Sequence, residues 1–266
     1  MPAKLIVSFN LQSRLCAEEL YPDRLHGLFF SISGEALASQ IHSYRNIKPF
    51  SLGFSTRSET GKRDFLLSNK LSKTEAVQKV YLEISFLEEG LFPKFLSNFM
   101  LSKESEFSLG GVKLQKIRKP YIREEFIKSY RHLFEEAPEE DRICFEFLTP
   151  TSFRKGKYNY PLPDPKLIFK GLIRKWQIFS DYKIDTDLKE EVEKIKVVGV
   201  GIKTSKIELS DLGWVVGFTG RVTFSVDSDK GKVLKWFQAL SRFAEFAGVG
   251  IKTTMGFGKV KLIRDK

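Results

Sequence analysis

Strand-like alternation and helical periodicity follow one another twice along the chain in the order β-α-β-β-α-β. This repeat predicts an α+β protein of two tandem ferredoxin-like domains, each a four-stranded sheet with two helices on one face. The 266 residues suit two such domains, and a hydrophobic content of 42% can give each a core. The expected boundaries are an N-terminal domain at 1–119, a connector at 120–141 and a C-terminal domain at 142–266.

In the first half, KLIVSFNL puts Leu5, Val7, Phe9 and Leu11 on one face, as a half-buried strand does. Leu25, Leu28, Phe29 and Ile32 then take helical spacing, with Pro22 and Asp23 suited to a first turn. GEALASQIHS predicts a second short helix, ended by Asn46 and Pro49. FSLGFS, KRDFLLS and KVYLEISFLEE read as strands, and EGLFPKFLSNFM as a helix despite Pro93. EFSLGGVKLQKIRK reads as a strand with a bulge or turn at Gly110 and Gly111. The connector is charged and expected to be helical.

The second half opens with the strand RICFEFLTPTSF. A loop leads to a helix capped by Asp164, with Pro165 at its first position. Lys170, Arg174 and Lys175 are placed on that helix's outer face. Two strands, KVVGVGIKTSKIEL and WVVGFTGRVTFSV, precede an amphipathic helix lined by Val233, Phe237, Leu240 and Ala244. KVKLIRDK closes as a strand.

Lys and Arg number 44 against 33 acidic residues, a net charge of +11 that favours anionic partners, above all nucleic acid. Cys16 and Cys144 lie in apolar runs and read as buried thiols in a reducing compartment, with no metal-ligand spacing. No signal-peptide block and no run of about 18 apolar residues occurs. A cytoplasmic protein without membrane contact, metal or cofactor is expected.

Near the end stands GVGIKTTMGFG, Gly248–Gly258, with Gly-hydrophobic-Gly triplets five residues apart. Gly248 ends the last helix. Gly250, Gly256 and Gly258 permit positive φ and close backbone approach. Lys252, Thr253 and Thr254 add a charge and hydroxyls, and free amides here could cradle a phosphate. Read alone, the stretch fits equally a helix cap and a bulged strand without a ligand. It follows a helix and opens a strand, so it is not a dinucleotide fingerprint.

This glycine pattern before the final strand resembles the signature of the RAMP superfamily. Within it the chain is similar to the CRISPR-associated endoribonucleases that cut repeat RNA, the Cas-six family. FLTPTSFRKGKYNYPLPDPKLIFKGLIRKW resembles the start of that family's second domain, and WVVGFTGRVTF and AEFAGVG its later part. The resemblance covers nearly the whole chain and is more specific in the C-terminal half. It implies metal-independent cleavage by the 2′-hydroxyl beside the scissile phosphate, leaving a 2′,3′-cyclic phosphate and a 5′-hydroxyl. It implies CRISPR repeat RNA as partner, and leaves open effector subunits and a homodimer. The alternative on the same fold is a non-catalytic RNA-binding subunit of an effector complex.

Many members carry a histidine after the first helical region, a lysine a few residues on and a tyrosine in the first helix. His42 and Lys48 match the first two. An imidazole can move protons near neutral pH, and an ammonium can stabilise charge on phosphate oxygens. Taken alone, His42 is also an ordinary polar residue at a helix end. Phe30 stands where the pattern has tyrosine and cannot transfer a proton. Tyr44 and His26 are the candidates to replace that hydroxyl, and His132 reads as structural. For RNA phosphates the sequence offers Lys113, Lys116, Arg118 and Lys119, then Arg154, Lys155 and Lys157 with Tyr158 and Tyr160 interleaved for stacking. The second group fits a plain solvated hairpin equally well.

Overall fold

A computed structural model describes residues 1–12, 21–57, 63–65, 67, 79–210 and 213–264. Its N-terminal sheet holds β1 (Ala3–Leu11), β2 (Phe50–Arg57), β3 (Arg63–Phe65), β4 (Lys79–Phe86), β5 (Glu106–Leu109) and β6 (Val112–Tyr121) in the order β3-β2-β4-β1-β6-β5. Every pairing is antiparallel; Leu5 faces Ile84, and Ile84 faces Leu52. Without β3 and β5, the order is that of a ferredoxin-like sheet. The helices are α1 (Pro22–Ser33), α2 (Glu35–His42) and α3 (Leu91–Leu101). The glycine pair read as a bulge or turn is the turn of a β5–β6 hairpin, with positive φ at both Gly110 and Gly111.

The connector is less helical than expected. β6 runs on to Tyr121, and only a 3-10 turn at Glu124–Phe126 and the short α4 (Tyr130–Glu135) follow. Tyr130, Leu133 and Ala137 bury themselves in the second core, and the Tyr130 hydroxyl donates to the Leu87 carbonyl at 2.8 Å. His132 pairs with Glu136 at 2.9 Å, one turn further along.

The C-terminal sheet repeats the topology. Its strands are β7 (Arg142–Thr151), β10 (Ile195–Glu208), β11 (Trp214–Val226) and β12 (Val260–Ile263), ordered β10-β11-β7-β12. The segment after β7, read either as an RNA-gripping loop or as a plain hairpin, is a hairpin of β8 (Phe153–Lys155) and β9 (Tyr158–Tyr160). It leads to α5 (Pro165–Phe179), whose Asp164 cap accepts from the Leu167 amide at 3.2 Å. α6 (Gly231–Ala247) buries Val233, Phe237, Leu240 and Ala244, as its periodicity predicts. Cys144 is a free thiol, only half-buried, against the expectation of burial; Cys16 lies outside the described residues.

The domains share their cores. Ile207, Leu209, Val215 and Phe257 of the second domain lie in the apolar cluster of the first. Phe257 is 1% exposed, and burying such a ring contributes roughly 1.5–3 kcal/mol. Beside it, Lys259 forms an ion pair with Glu83 of β4, and Lys4 lies 3.5 Å from the same carboxylate. The Ser51 hydroxyl donates to the Phe246 carbonyl across the same boundary. No described helix is long and apolar enough to cross a membrane.

Candidate active site and nucleic-acid interface

Helix α1 stops at Gly34, whose φ of 77° suits glycine, and the chain restarts at once as α2. α2 ends at His42. The Lys48 ammonium folds back onto that end, donating to the carbonyls of Ile41 at 3.2 Å and His42 at 3.1 Å. Cations are favoured at the negative end of a helix, and the Ile41 carbonyl accepts here from the Tyr44 amide, at a long 3.4 Å, as well as from Lys48.

The turn between the helices brings three rings together. The exposed His42 imidazole stacks on Phe30, with centroids 4.1 Å apart and planes 16° apart. His26 meets the same ring edge-on at 4.8 Å and lies parallel to Phe50 at 5.9 Å. Phe30 therefore contacts both imidazoles. His26 Nδ1 is 3.0 Å from the carbonyl oxygen of Thr254. A carbonyl only accepts, so Nδ1 carries the hydrogen and the neutral ring presents a lone pair on Nε2. Burial pushes the His26 pKa below its ordinary value; the Thr254 bond opposes this, and the charges of His42, Lys48 and Lys252 reinforce it.

The glycine stretch supplies that carbonyl. Gly248, Gly250, Gly256 and Gly258 all have positive φ. At Gly258 a side chain is excluded outright, since a Cβ would lie 1.8 Å from the Val249 carbonyl oxygen. At Gly250 it would lie 2.3 Å from that of Ser152. The loop is an inserted element more than an open cradle. The amides of Val249, Ile251, Met255, Phe257 and Gly258 bond to backbone carbonyls, and that of Lys259 to the Thr149 hydroxyl. The amides of Gly250, Lys252, Thr253, Thr254 and Gly256 enter none of these bonds. Thr253–Met255 forms a 3-10 turn against α1 and β2, so the stretch does not lead straight into a strand. Thr253 is buried there; Thr254 and Lys252 are half-buried.

The other predicted residues divide. The Tyr44 hydroxyl donates to Glu88, and burial, then that carboxylate, pushes its pKa up to about 12. Lys113 and Lys119 are exposed on β6, and the Arg118 side chain lies outside the description. Lys116 is 6% exposed, and its ammonium caps α3 through the carbonyls of Phe99 and Ser102, both at 3.1 Å. It shares the inward parity of Val112 and Leu114, a signal the charge run obscured. Arg154, Lys155 and Lys157 are exposed on the β8–β9 hairpin, where Tyr158 is 80% exposed. Lys155 pairs with Asp164 at 2.8 Å and sits over the Tyr160 ring at 3.8 Å. At the base of this hairpin, the Ser152 carbonyl accepts from the Ile251 amide, tying it to the glycine loop.

Lys175 is not on the outer face of α5. Its ammonium donates to the carbonyls of Ala247 and Gly248, at 2.8 and 3.0 Å, closing the end of α6. Burial brings its pKa down to about 8. Among the described residues, no group of three or more His, Cys, Asp or Glu is placed to hold a metal ion.

A solved Cas6 product complex superposes on this chain with a TM-score of 0.80 at 27% identity, covering 99% of this chain and 100% of that one. A family model described as CRISPR-associated endoribonuclease Cas6 matches residues 145–260. In sequence and in fold, the chain is similar to the Cas6 family. The Mycobacterium tuberculosis CRISPR-associated endoribonuclease Cas6 is 30% identical over 143 residues, 51% of this chain and 43% of that relative. A Streptococcus thermophilus Cas6 is 26% identical over 161 residues, 59% of this chain and 65% of that relative. The matches thus span 43% to 65% of the length of these curated Cas6 relatives. The segment matched by the Cas6 model holds the glycine loop and the hairpin; His26, His42 and Lys48 precede it.

Proposed function

We propose that this protein is a metal-independent endoribonuclease of the Cas6 type that cleaves CRISPR repeat RNA in precursor transcripts to make guide RNAs. The observation that carries the reading is the pair of imidazoles on either side of Phe30, one of them held in a single tautomer by the glycine loop. The relatives' names, and the product complex among similar structures, supply the substrate class.

His26 Nε2 takes the proton of the 2′-hydroxyl beside the scissile phosphate. The 2′-oxygen bonds to phosphorus, and the bond from phosphorus to the 5′-oxygen breaks. His42, exposed at the end of α2, gives a proton to the departing 5′-oxygen. The products are a 2′,3′-cyclic phosphate and a 5′-hydroxyl. Two imidazoles make a phenolic hydroxyl at position 30 unnecessary, and Phe30 orients them instead. The exposed lysines and Tyr158 of the hairpin hold the RNA by charge and stacking.

The test is incubation with the repeat RNA of the protein's own genome in EDTA, followed by analysis of the product ends. Cyclic phosphate and 5′-hydroxyl ends are expected, with no cut when the 2′-hydroxyl at the site is removed. His42→Ala should lower the rate by about 10²–10⁴-fold while RNA binding persists. Tight binding without product would favour the second reading, a non-catalytic RNA-binding subunit, for which the missing tyrosine hydroxyl speaks.

A further inference from the structure

We infer that Lys252, in the glycine loop, supplies the positive charge that stabilises the scissile phosphate, and that Lys48 positions His42 without touching the phosphate. The inference rests on the endoribonuclease reading.

Lys48 has a structural task. Two of its three N–H donors point at the carbonyls of Ile41 and His42, so it fixes the end of the helix that carries His42. An ammonium held there is poorly free to follow charge as it grows on phosphate oxygens. Lys252 is placed in the opposite way. Among the described residues it is the one non-glycine residue with positive φ, at 55°. Its carbonyl accepts from Met255 at 2.8 Å and from Phe257 at 3.4 Å, which fixes this left-handed conformation. Glycine or asparagine relaxes such a position, and lysine does not. Strain of this kind gathers where a side chain is needed for function. Among the described residues, the polar contact of its ammonium is the Met255 sulfur at 4.0 Å, a weak acceptor. Lys252 stands two residues before the carbonyl that holds His26, and its charge is felt at the His26 ring. A phosphate reached by both imidazoles would thus meet a cation on a rigid turn.

The test is single-turnover cleavage of the repeat RNA at saturating enzyme, with binding measured separately on RNA lacking the 2′-hydroxyl at the cut. Lys252→Gly should fold at least as stably as the wild type, because glycine tolerates the conformation. Its saturating rate should fall by about 10²–10³-fold, the effect of losing one charge-stabilising donor, with binding weakened less than about tenfold. Lys252→Arg should recover most of the rate. Lys48→Met should lower the melting temperature as well as the rate, because it uncaps α2. A wild-type saturating rate in Lys252→Gly, or a loss accounted for by weaker binding alone, would overturn the assignment. If the wild type itself releases no product, it is the endoribonuclease reading that fails.

Discussion

His26 Nδ1 and the carbonyl oxygen of Thr254 lie 3.0 Å apart across 228 residues of sequence. This bond joins the first helix to the last loop and fixes the tautomer of an imidazole in the candidate site.

His26→Asn keeps an N–H near the position of Nδ1 and removes the proton acceptor. It should retain the fold and lose about 10²–10⁴-fold in cleavage rate. Because burial depresses the His26 pKa below the ordinary 6.5, the acidic limb of the wild-type pH–rate profile should lie below that value and vanish in the variant. Stability follows the same sign. A depressed pKa contributes stability that is complete above 6.5 and is lost as pH falls through the folded-state value. Acid should therefore destabilise the wild type more than His26→Asn in thermal melts.

Gly258→Ala forces a Cβ to within 1.8 Å of the Val249 carbonyl oxygen at a φ of 66°. The loop must move, at an expected loss of more than about 2 kcal/mol in denaturant unfolding. Gly27→Ala is the control. Gly27 sits in α1 with nothing within 4 Å of its would-be Cβ, so alanine should stabilise by about 0.5–1 kcal/mol.

Glu83→Ala leaves Lys259, 4% exposed, and Lys4 without their shared carboxylate at the domain boundary. Breaking a buried pair by removing one partner costs about 3–5 kcal/mol. Chemical denaturation should show the loss.

On the hairpin, Tyr158→Ala should weaken RNA binding by about 1–3 kcal/mol if one base stacks there. Its stability should not change, as the ring is 80% exposed. Lys157→Gln should reduce the slope of log affinity against log salt by about 0.7, the value for one phosphate contact on a single strand. Filter binding over a salt series measures both.

Much of this was legible locally. Alternation marks the strands, Asp164–Pro165 opens α5, and Gly248 closes α6, because each signal needs only near neighbours. His42 and Lys48 stood out through the family pattern, and their approach follows from a helix ending between them. What the sequence hid was tertiary. Lys116 and Lys175 look like surface charge, yet both cap the carbonyl ends of neighbouring helices. The glycines read as room for a phosphate, whereas most of their freedom lets backbone pack on backbone. The bond from His26 to Thr254 has no local signature, since a main-chain carbonyl carries no residue identity.

Phe257 also bears on the order of events during synthesis. The first domain contains both His26 and His42, yet its apolar interior is completed by the ring of Phe257, made long after them. At about 5–20 residues per second, a ribosome needs on the order of ten to forty-five seconds to travel the 228 residues from His26 to Thr254. Through that interval the nascent protein holds both imidazoles without the carbonyl that orients one of them. The bond that orients His26 can form only once Thr254 has been made.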